Sequence, residues 1–194
     1  MTIDQKFIDQ FLNVTSIAAL ASYNFVGKKD KIAADKAAVD SMRNELNKLD
    51  IKGQIVIGEG ELDEAPMLFI GENVGTTNGP AIDIAVDPLE GTNFAANNLP
   101  GALSVIAVAE KNNLFNAPET YMEKISARVT EKGVIDLDYS VKKNIYNLSE
   151  YLNKKPKNIT ACVMDRPRHK DIINELNKIG VNIKLITDGD VSGA

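Results

Sequence analysis

The stretch Ala81 to Thr92, AIDIAVDPLEGT, constrains the fold more than any other part of this chain. Ile82, Ile84 and Val86 alternate with Ala81, Asp83, Ala85 and Asp87, which predicts a β-strand with one apolar face and one partly acidic face. Pro88 has no N–H to give to a ladder, so the strand is expected to stop there. A turn then carries Glu90, Gly91 and Thr92 beside Asp87. Open α/β sheets present ligand-binding groups in this way, at the carboxyl ends of their strands.

The rest of the chain supplies partners for such a strand. Phe7, Phe11, Val14, Ala18, Leu20 and Ala21 recur at helical spacing. Gly27 and the charged residues 28–31 interrupt them, and Ala34, Ala38, Met42, Leu46 and Leu49 mark a second helix that Gly53 is expected to close. Gln54 to Gly58 (QIVIG) has strand composition. Ala102 to Ala109 (ALSVIAVA) is apolar on both faces, which predicts a central strand, and Gly133 to Leu137 reads as a weaker fourth. A strand-helix-strand unit ends the sequence: Ile159 to Met164, then Lys170 to Ile179 with Ile172, Ile173, Leu176 and Ile179 inward and Gly180 as its stop, then Asn182 to Thr187. The turn Asp188-Gly189-Asp190 follows the last strand. The polar run 153–158 (NKKPKN) divides an α/β region, 1–152, from the start of a second, 153–194.

Composition removes several function classes. The 194 residues carry 22 basic and 27 acidic side chains, a net charge of −5, which argues against a nucleic-acid binder. Apolar runs such as Ala102 to Ala109 are too short to span a bilayer, and Asp4, Lys6 and Asp9 interrupt any leader-like stretch. One cysteine, Cys162, forms no internal disulfide. The expectation is a cytoplasmic α/β protein that acts on a small molecule.

Two acidic clusters are candidates for chemistry. Glu59 follows the QIVIG strand and lies between Gly58 and Gly60, where a sharp turn and a close ligand approach are both permitted. Glu61, Asp63 and Glu64 read instead as a solvated loop leading into a helix at Pro66. Asp87 and Glu90, with Gly91 and Thr92, provide carboxylates, backbone amides and a hydroxyl within six residues, which suits a metal-assisted phosphate site. A simple Asx-type turn is the competing reading.

The hexapeptide DPLEGT resembles the core motif of the metal-dependent, lithium-sensitive sugar and inositol phosphatases. VIGEGELDEAPMLFIGENVG (56–75), AIDIAVDPLEGTNFAA (81–96), NAPETYMEKI (116–125), PRH (167–169) and ITDGDV (186–191) together are similar to class II fructose-1,6-bisphosphatases of the GlpX type, as is the segment 14–43. The resemblance implies a layered α/β sugar-phosphatase fold with mixed sheets and helices. It implies hydrolysis of the 1-phosphate of fructose 1,6-bisphosphate to fructose 6-phosphate, a step of gluconeogenesis, with inositol- or sedoheptulose-bisphosphatase activity or an inactive sugar-phosphate-binding fragment as alternatives. Position by position, it implies Asp35, Glu59, Asp87 and Glu90 as ligands of Mn²⁺ or Mg²⁺. Thr92 would orient the attacking water and act in catalysis with Glu59 and Asp87. Glu90, Gly91, Thr92, Tyr121, Arg166, Pro167, Arg168, Asp188, Gly189 and Asp190 would contact the sugar bisphosphate. No nucleic acid or membrane is a partner in this reading, and the resemblance implies a homo-oligomer for the full-length protein. The family runs on beyond Ala194 through a Pro-Glu-Gly stretch whose Glu is a further metal ligand, so the resemblance implies a C-terminally shortened chain. Such a chain is expected to bind metal weakly, to self-associate and to have little activity.

Other residues carry weaker signals. Asp35, within AADKAA, reads on its own as a solvated helix residue. Asp83 shares a strand face with Asp87 but stands about 13 Å from it, which suits a supporting role. Lys28, Lys29 and Lys31 read equally as a solvated turn or as groups that steer a phosphate. Tyr121 reads as a half-buried helix aromatic, His169 as a capping or surface residue, and Cys162 as an inert core residue.

Overall fold

The apolar periodicity of the N-terminal segment becomes two helices, α1 (Gln5–Tyr23) and α2 (Lys31–Leu46), in a computed structural model that describes residues 5–60, 67–118 and 120–194. Asp30 starts α2: its carboxylate accepts the Ala33 N–H at 2.9 Å and satisfies one of the unpaired donors of the first turn. The helix ends at Leu46, with Asn47 as its cap, rather than at Gly53. Gly53 lies inside β1 (Lys52–Ile57), where a Cβ would come within 2.8 Å of Ile84 and 3.0 Å of Val74, so the glycine serves close strand packing.

β2 (Asn73–Val74), β3 (Ala81–Glu90) and β4 (Leu103–Glu110) complete a four-stranded sheet in the order β2-β1-β3-β4. β1 and β3 are parallel; the other two pairings are antiparallel. Ile82, Ile84 and Val86 face the core with Ile55, and Val14, Ala34, Ala38, Met42 and Leu46 of the two helices cover them. Complete burial of side chains such as Met42, Leu46 and Ile84 stabilises this layer by about 1.5–3 kcal/mol each.

Two strand expectations change. β3 does not stop at Pro88 but continues to Glu90. Its register against β4 shifts between Asp87 and Glu90, and a bulge of this kind leaves a residue unpaired, so the missing N–H of Pro88 is tolerated. β4 is an edge strand among the described residues, not a central one. Its apolar residues on one face, Ile106 and Val108, pack against the core, and with Ile8, Phe11, Leu12 and Val105 they line an apolar groove beside α1.

The chain divides at 120/121 into two compact units. The expected boundary at 153–158 falls within the second unit, as a short turn that joins α4 (Val141–Tyr151) to β5 (Thr160–Met164). Ser140 caps α4 by accepting the Lys143 N–H at 3.2 Å. α5 (Lys170–Ile179) connects β5 to the parallel strand β6 (Asn182–Ile186), and Gly180, at φ 83, ends the helix as expected. The core of this unit is Ile145, Ile159, Leu176 and Val181; Ile172, expected inward, is exposed. Gly133 to Leu137 forms turns rather than a strand, because Asn144 bonds the Asp136 N–H at 2.9 Å and the Asp136 carbonyl at 2.8 Å.

Among the described residues no helix is long and apolar enough to cross a membrane.

Candidate active site

Chain direction explains which carboxylates can meet. β1 and β3 run in parallel, so the residues that follow β1 and those near the end of β3 lie at one edge of the sheet. Glu59 stands just beyond β1, and Asp87 and Glu90 stand near the end of β3. α2 packs against β3 and against the residues that follow it, and Lys29, just before the helix, donates its N–H to the Ala96 carbonyl at 2.9 Å, which brings the first turns of α2, with Asp35, to that same edge. Three elements thus deliver acids to one place.

Both strands are irregular close to their acidic residues. The β1–β3 register shifts between Ile55 and Ile57, and the β3–β4 register shifts between Asp87 and Glu90. Bulges re-aim side chains at strand ends. Gly91 follows at φ 81 and begins the short helix α3 (Thr92–Ala96). A Cβ on Gly91 would also approach the Phe94 ring at 2.9 Å, so both conformation and space call for glycine. Glu90 is buried, while Asp35, Glu59, Asp87 and Thr92 are half-buried.

Electrostatics ties three of these acids together. Burial raises the Glu59 pKa first, and the charges of Asp35 and then Asp87 raise it further, from an ordinary 4.5 to about 8. Burial also raises the Asp35 pKa. The donor set suits a hard divalent cation: it offers carboxylate oxygens, and two of the carboxyl groups, those of Asp35 and Glu59, resist ionisation until a positive charge joins them. No group of three or more His, Cys, Asp or Glu side chains among the described residues is close enough together to hold an ion as it stands. The chemistry of the set fits such a cation, with the side chains still apart.

In the second unit, the residues expected to hold a sugar phosphate lie at the carboxyl ends of β5 and β6. Arg166, Pro167 and Arg168 follow β5, and Asp188, Gly189 and Asp190 follow β6, with Gly189 at φ 63. Tyr121 is not a half-buried helix aromatic: it is 85% exposed outside any helix, and its ring lies 4.1 Å beneath the Arg168 guanidinium. Asp190 pairs with Lys124, a residue that sequence reasoning passed over. The His169 ring nitrogen Nδ1 bonds the Met164 carbonyl at 2.8 Å, which ties the turn back to β5. Cys162 is half-buried on β5.

Asp83 has the supporting role expected of it. It is buried, pairs with Lys111 at 3.1 Å and accepts the Asn113 N–H at 3.1 Å. Burial alone would raise its pKa, but Lys111 and the backbone N–H groups of that turn outweigh burial and lower it. Lys29 bonds Asn97 at 2.8 Å and Lys28 lies over the Phe25 ring, which favours the turn reading for both; Lys31 is exposed at the start of α2. Glu61, Asp63, Glu64 and Pro66 lie outside the described residues, and 67–72 beyond them are turns and bends rather than a helix. Sequence reasoning also missed the buried Glu72, an isolated acid with no periodicity to mark its burial.

Residues 5–194 match the profile of the family described as "Bacterial fructose-1,6-bisphosphatase, glpX-encoded". Similar proteins include a D-fructose 1,6-bisphosphatase class 2/sedoheptulose 1,7-bisphosphatase of Synechococcus sp. (strain CC9902), 49% identical over 192 residues, which cover 99% of this chain and 58% of that protein. One of the same name from Prochlorococcus marinus (strain MIT 9301) is 47% identical over the same shares of each chain. The chain therefore spans 58% of the length of these curated relatives. With nearly every residue inside the profile, the chain belongs to the glpX-encoded family of bacterial fructose-1,6-bisphosphatases.

Proposed function

We propose that this chain carries the metal and substrate groups of a phosphomonoesterase that hydrolyses the 1-phosphate of fructose 1,6-bisphosphate. Fructose 6-phosphate and inorganic phosphate are the products, and sedoheptulose 1,7-bisphosphate, which the relatives' name includes, is a second substrate. The observation that carries this reading is the placement of the half-buried Glu59 just beyond β1, at the same edge as Asp87 near the end of the parallel strand β3, with Asp35 and Asp87 near enough to act on its charge. A bare anionic cluster repels a phosphate ester; the same cluster around a divalent cation attracts one.

Asp35, Glu59, Asp87 and Glu90 are the proposed holders of Mn²⁺ or Mg²⁺. Such a cation, when bound, supplies the charge that draws in the phosphoryl group and lowers the pKa of water. The chain's own residues then do the positioning. The Thr92 hydroxyl orients the attacking water, and the backbone amides of Gly91 and Thr92 hold phosphoryl oxygens. The water oxygen bonds to phosphorus as the bond to the sugar oxygen breaks, and that oxygen leaves with a proton. Positioning and charge do most of this work. Arg166 and Arg168, with guanidinium forks suited to phosphate, bind the distal phosphate. Pro167, Tyr121 and the Asp188-Gly189-Asp190 turn shape the sugar contacts.

The test is phosphate release from fructose 1,6-bisphosphate as Mn²⁺ is titrated, with the Asp87→Asn protein alongside. The expected result is a weak release that rises with Mn²⁺ and is lost in Asp87→Asn. Release without divalent metal, or undiminished in Asp87→Asn, contradicts the proposal. Thr92→Ala is expected to lower kcat at least tenfold while metal affinity changes little, because the interaction is made mainly in the transition state.

A further inference from the structure

Glu59 is tied to the turn at 67–72, and that turn is held by an ion pair whose carboxylate is buried and which belongs to neither the proposed metal ligands nor the proposed substrate contacts. Glu72 is only 5% exposed. One of its carboxylate oxygens lies 2.5 Å from Nε of Arg43, in the last turn of α2, and the other accepts the N–H of Leu68. The Glu72 backbone carbonyl accepts the Ile55 N–H of β1 at 2.9 Å. Leu68 is fully buried at φ 54, a left-handed conformation that a leucine keeps only where its surroundings enforce it. That conformation directs the Leu68 carbonyl to the Glu59 N–H at 3.0 Å. Gly58 completes the arrangement, since a Cβ there would meet the same carbonyl oxygen at 2.0 Å.

A buried carboxylate is a poor way to gain stability, because desolvation offsets much of the ion-pair attraction. An apolar side chain would fill the same space. What Glu72 supplies and an apolar residue lacks is direction: it holds one backbone N–H, and through it the turn whose carbonyl holds Glu59. Arg43 refers that turn to α2, the helix that also carries Asp35.

We propose that Arg43 and Glu72 are positioning residues for Glu59, which link its place to α2 and so fix its spacing from Asp35. This rests on the reading of Asp35, Glu59 and Asp87 as holders of a divalent cation. Partners one layer behind metal ligands commonly change metal affinity 10- to 100-fold when altered.

The experiment is a calorimetric titration of the 194-residue chain with Mn²⁺ alone, with thermal unfolding followed in parallel. Glu72→Gln keeps an acceptor for the Leu68 N–H and removes the charge; it is expected to weaken Mn²⁺ binding about tenfold. Arg43→Lys keeps the charge but loses the fork, with an expected weakening of about threefold. The Arg43 side chain is 38% exposed, so Arg43→Lys carries the test if Glu72→Gln does not fold. Ile84→Val, in the core, is the control for stability alone and is expected to lower Tm without changing Mn²⁺ affinity. Glu59→Gln is the control for the site. If Glu59→Gln loses binding while Glu72→Gln and Arg43→Lys bind like the unaltered chain, the positioning role is overturned and the site stands. If Ile84→Val weakens binding as much as Glu72→Gln, the pair acts only through stability and the proposal is overturned. If Glu59→Gln binds Mn²⁺ unchanged, the site reading fails and this inference fails with it.

Discussion

Glu59 combines a conspicuous sequence position with an unfavourable charge. Its folded pKa, about 8, lies above its ordinary 4.5, so between these values the folded chain holds a proton that the unfolded chain has released. The stability contribution is present below about pH 4.5 and is lost as pH rises through about 8. Metal-free protein is therefore expected to melt at lower temperature at pH 8.5 than at pH 5.5. Glu59→Gln should reduce that slope and raise Tm at pH 8.5 by about 2–4 °C for each kcal/mol of repulsion removed. A scan of Tm against pH for both proteins, in chelator, checks this. Asp83 contributes with the opposite sign, and only in acid, because its pKa is lowered. Gly58 gives a second residue-scale expectation. Gly58→Ala would drive a Cβ into the Leu68 carbonyl, at a cost of about 3 kcal/mol, read by urea unfolding. Glu59 and Asp87 were legible because each follows a clear strand pattern beside a turn-forming glycine or proline. Asp35 was not legible from the residues alone, since one acid among helix-forming alanines has no local mark of burial or of a partner. Glu72 was invisible for the same reason, and because its partner Arg43 is 29 residues away.

At the scale of elements, local signals succeeded where neighbours agreed with them. The stop of α5 at Gly180 and the start of β6 follow directly from the sequence. Pro88 misleads because its effect depends on the partner strand: the bulge between Asp87 and Glu90 lets β3 continue to Glu90. β4 misled because two apolar faces indicate apolar neighbours, not strand order. α4 went unread because its buried residues, Asn144 and Ile145, are few and one is polar. Asn144 instead holds the preceding loop, which is why Gly133 to Leu137 forms turns. The cap of α4 provides a test at this scale. Ser140→Ala removes the acceptor of the Lys143 N–H and is expected to destabilise the helix by about 1 kcal/mol, measured by amide exchange across 141–151.

At the scale of the whole molecule, two cores stand in one chain: the larger around Met42, Ile55 and Ile84, the smaller around Ile145, Ile159, Leu176 and Val181. Leu176→Ala is expected to cost about 2–5 kcal/mol and to speed amide exchange in α5, β5 and β6, while protection in β1 and β3 is kept. Equal loss of protection in both units would contradict separate cores. The proposed sharing of a cation by Asp35, Glu59 and Asp87 also depends on the whole sheet layer, because a helix and two parallel strands deliver these acids to one edge. It is tested most directly by Mn²⁺ titration calorimetry of three single variants, Asp35→Asn, Glu59→Gln and Asp87→Asn, against the unaltered chain. The expected result is metal binding by the unaltered chain and at least tenfold weaker binding in every variant, since divalent carboxylate sites lose affinity as ligands are removed. Binding that survives unchanged in Asp35→Asn or Asp87→Asn would show that these carboxylates do not share a cation with Glu59, and would contradict the account.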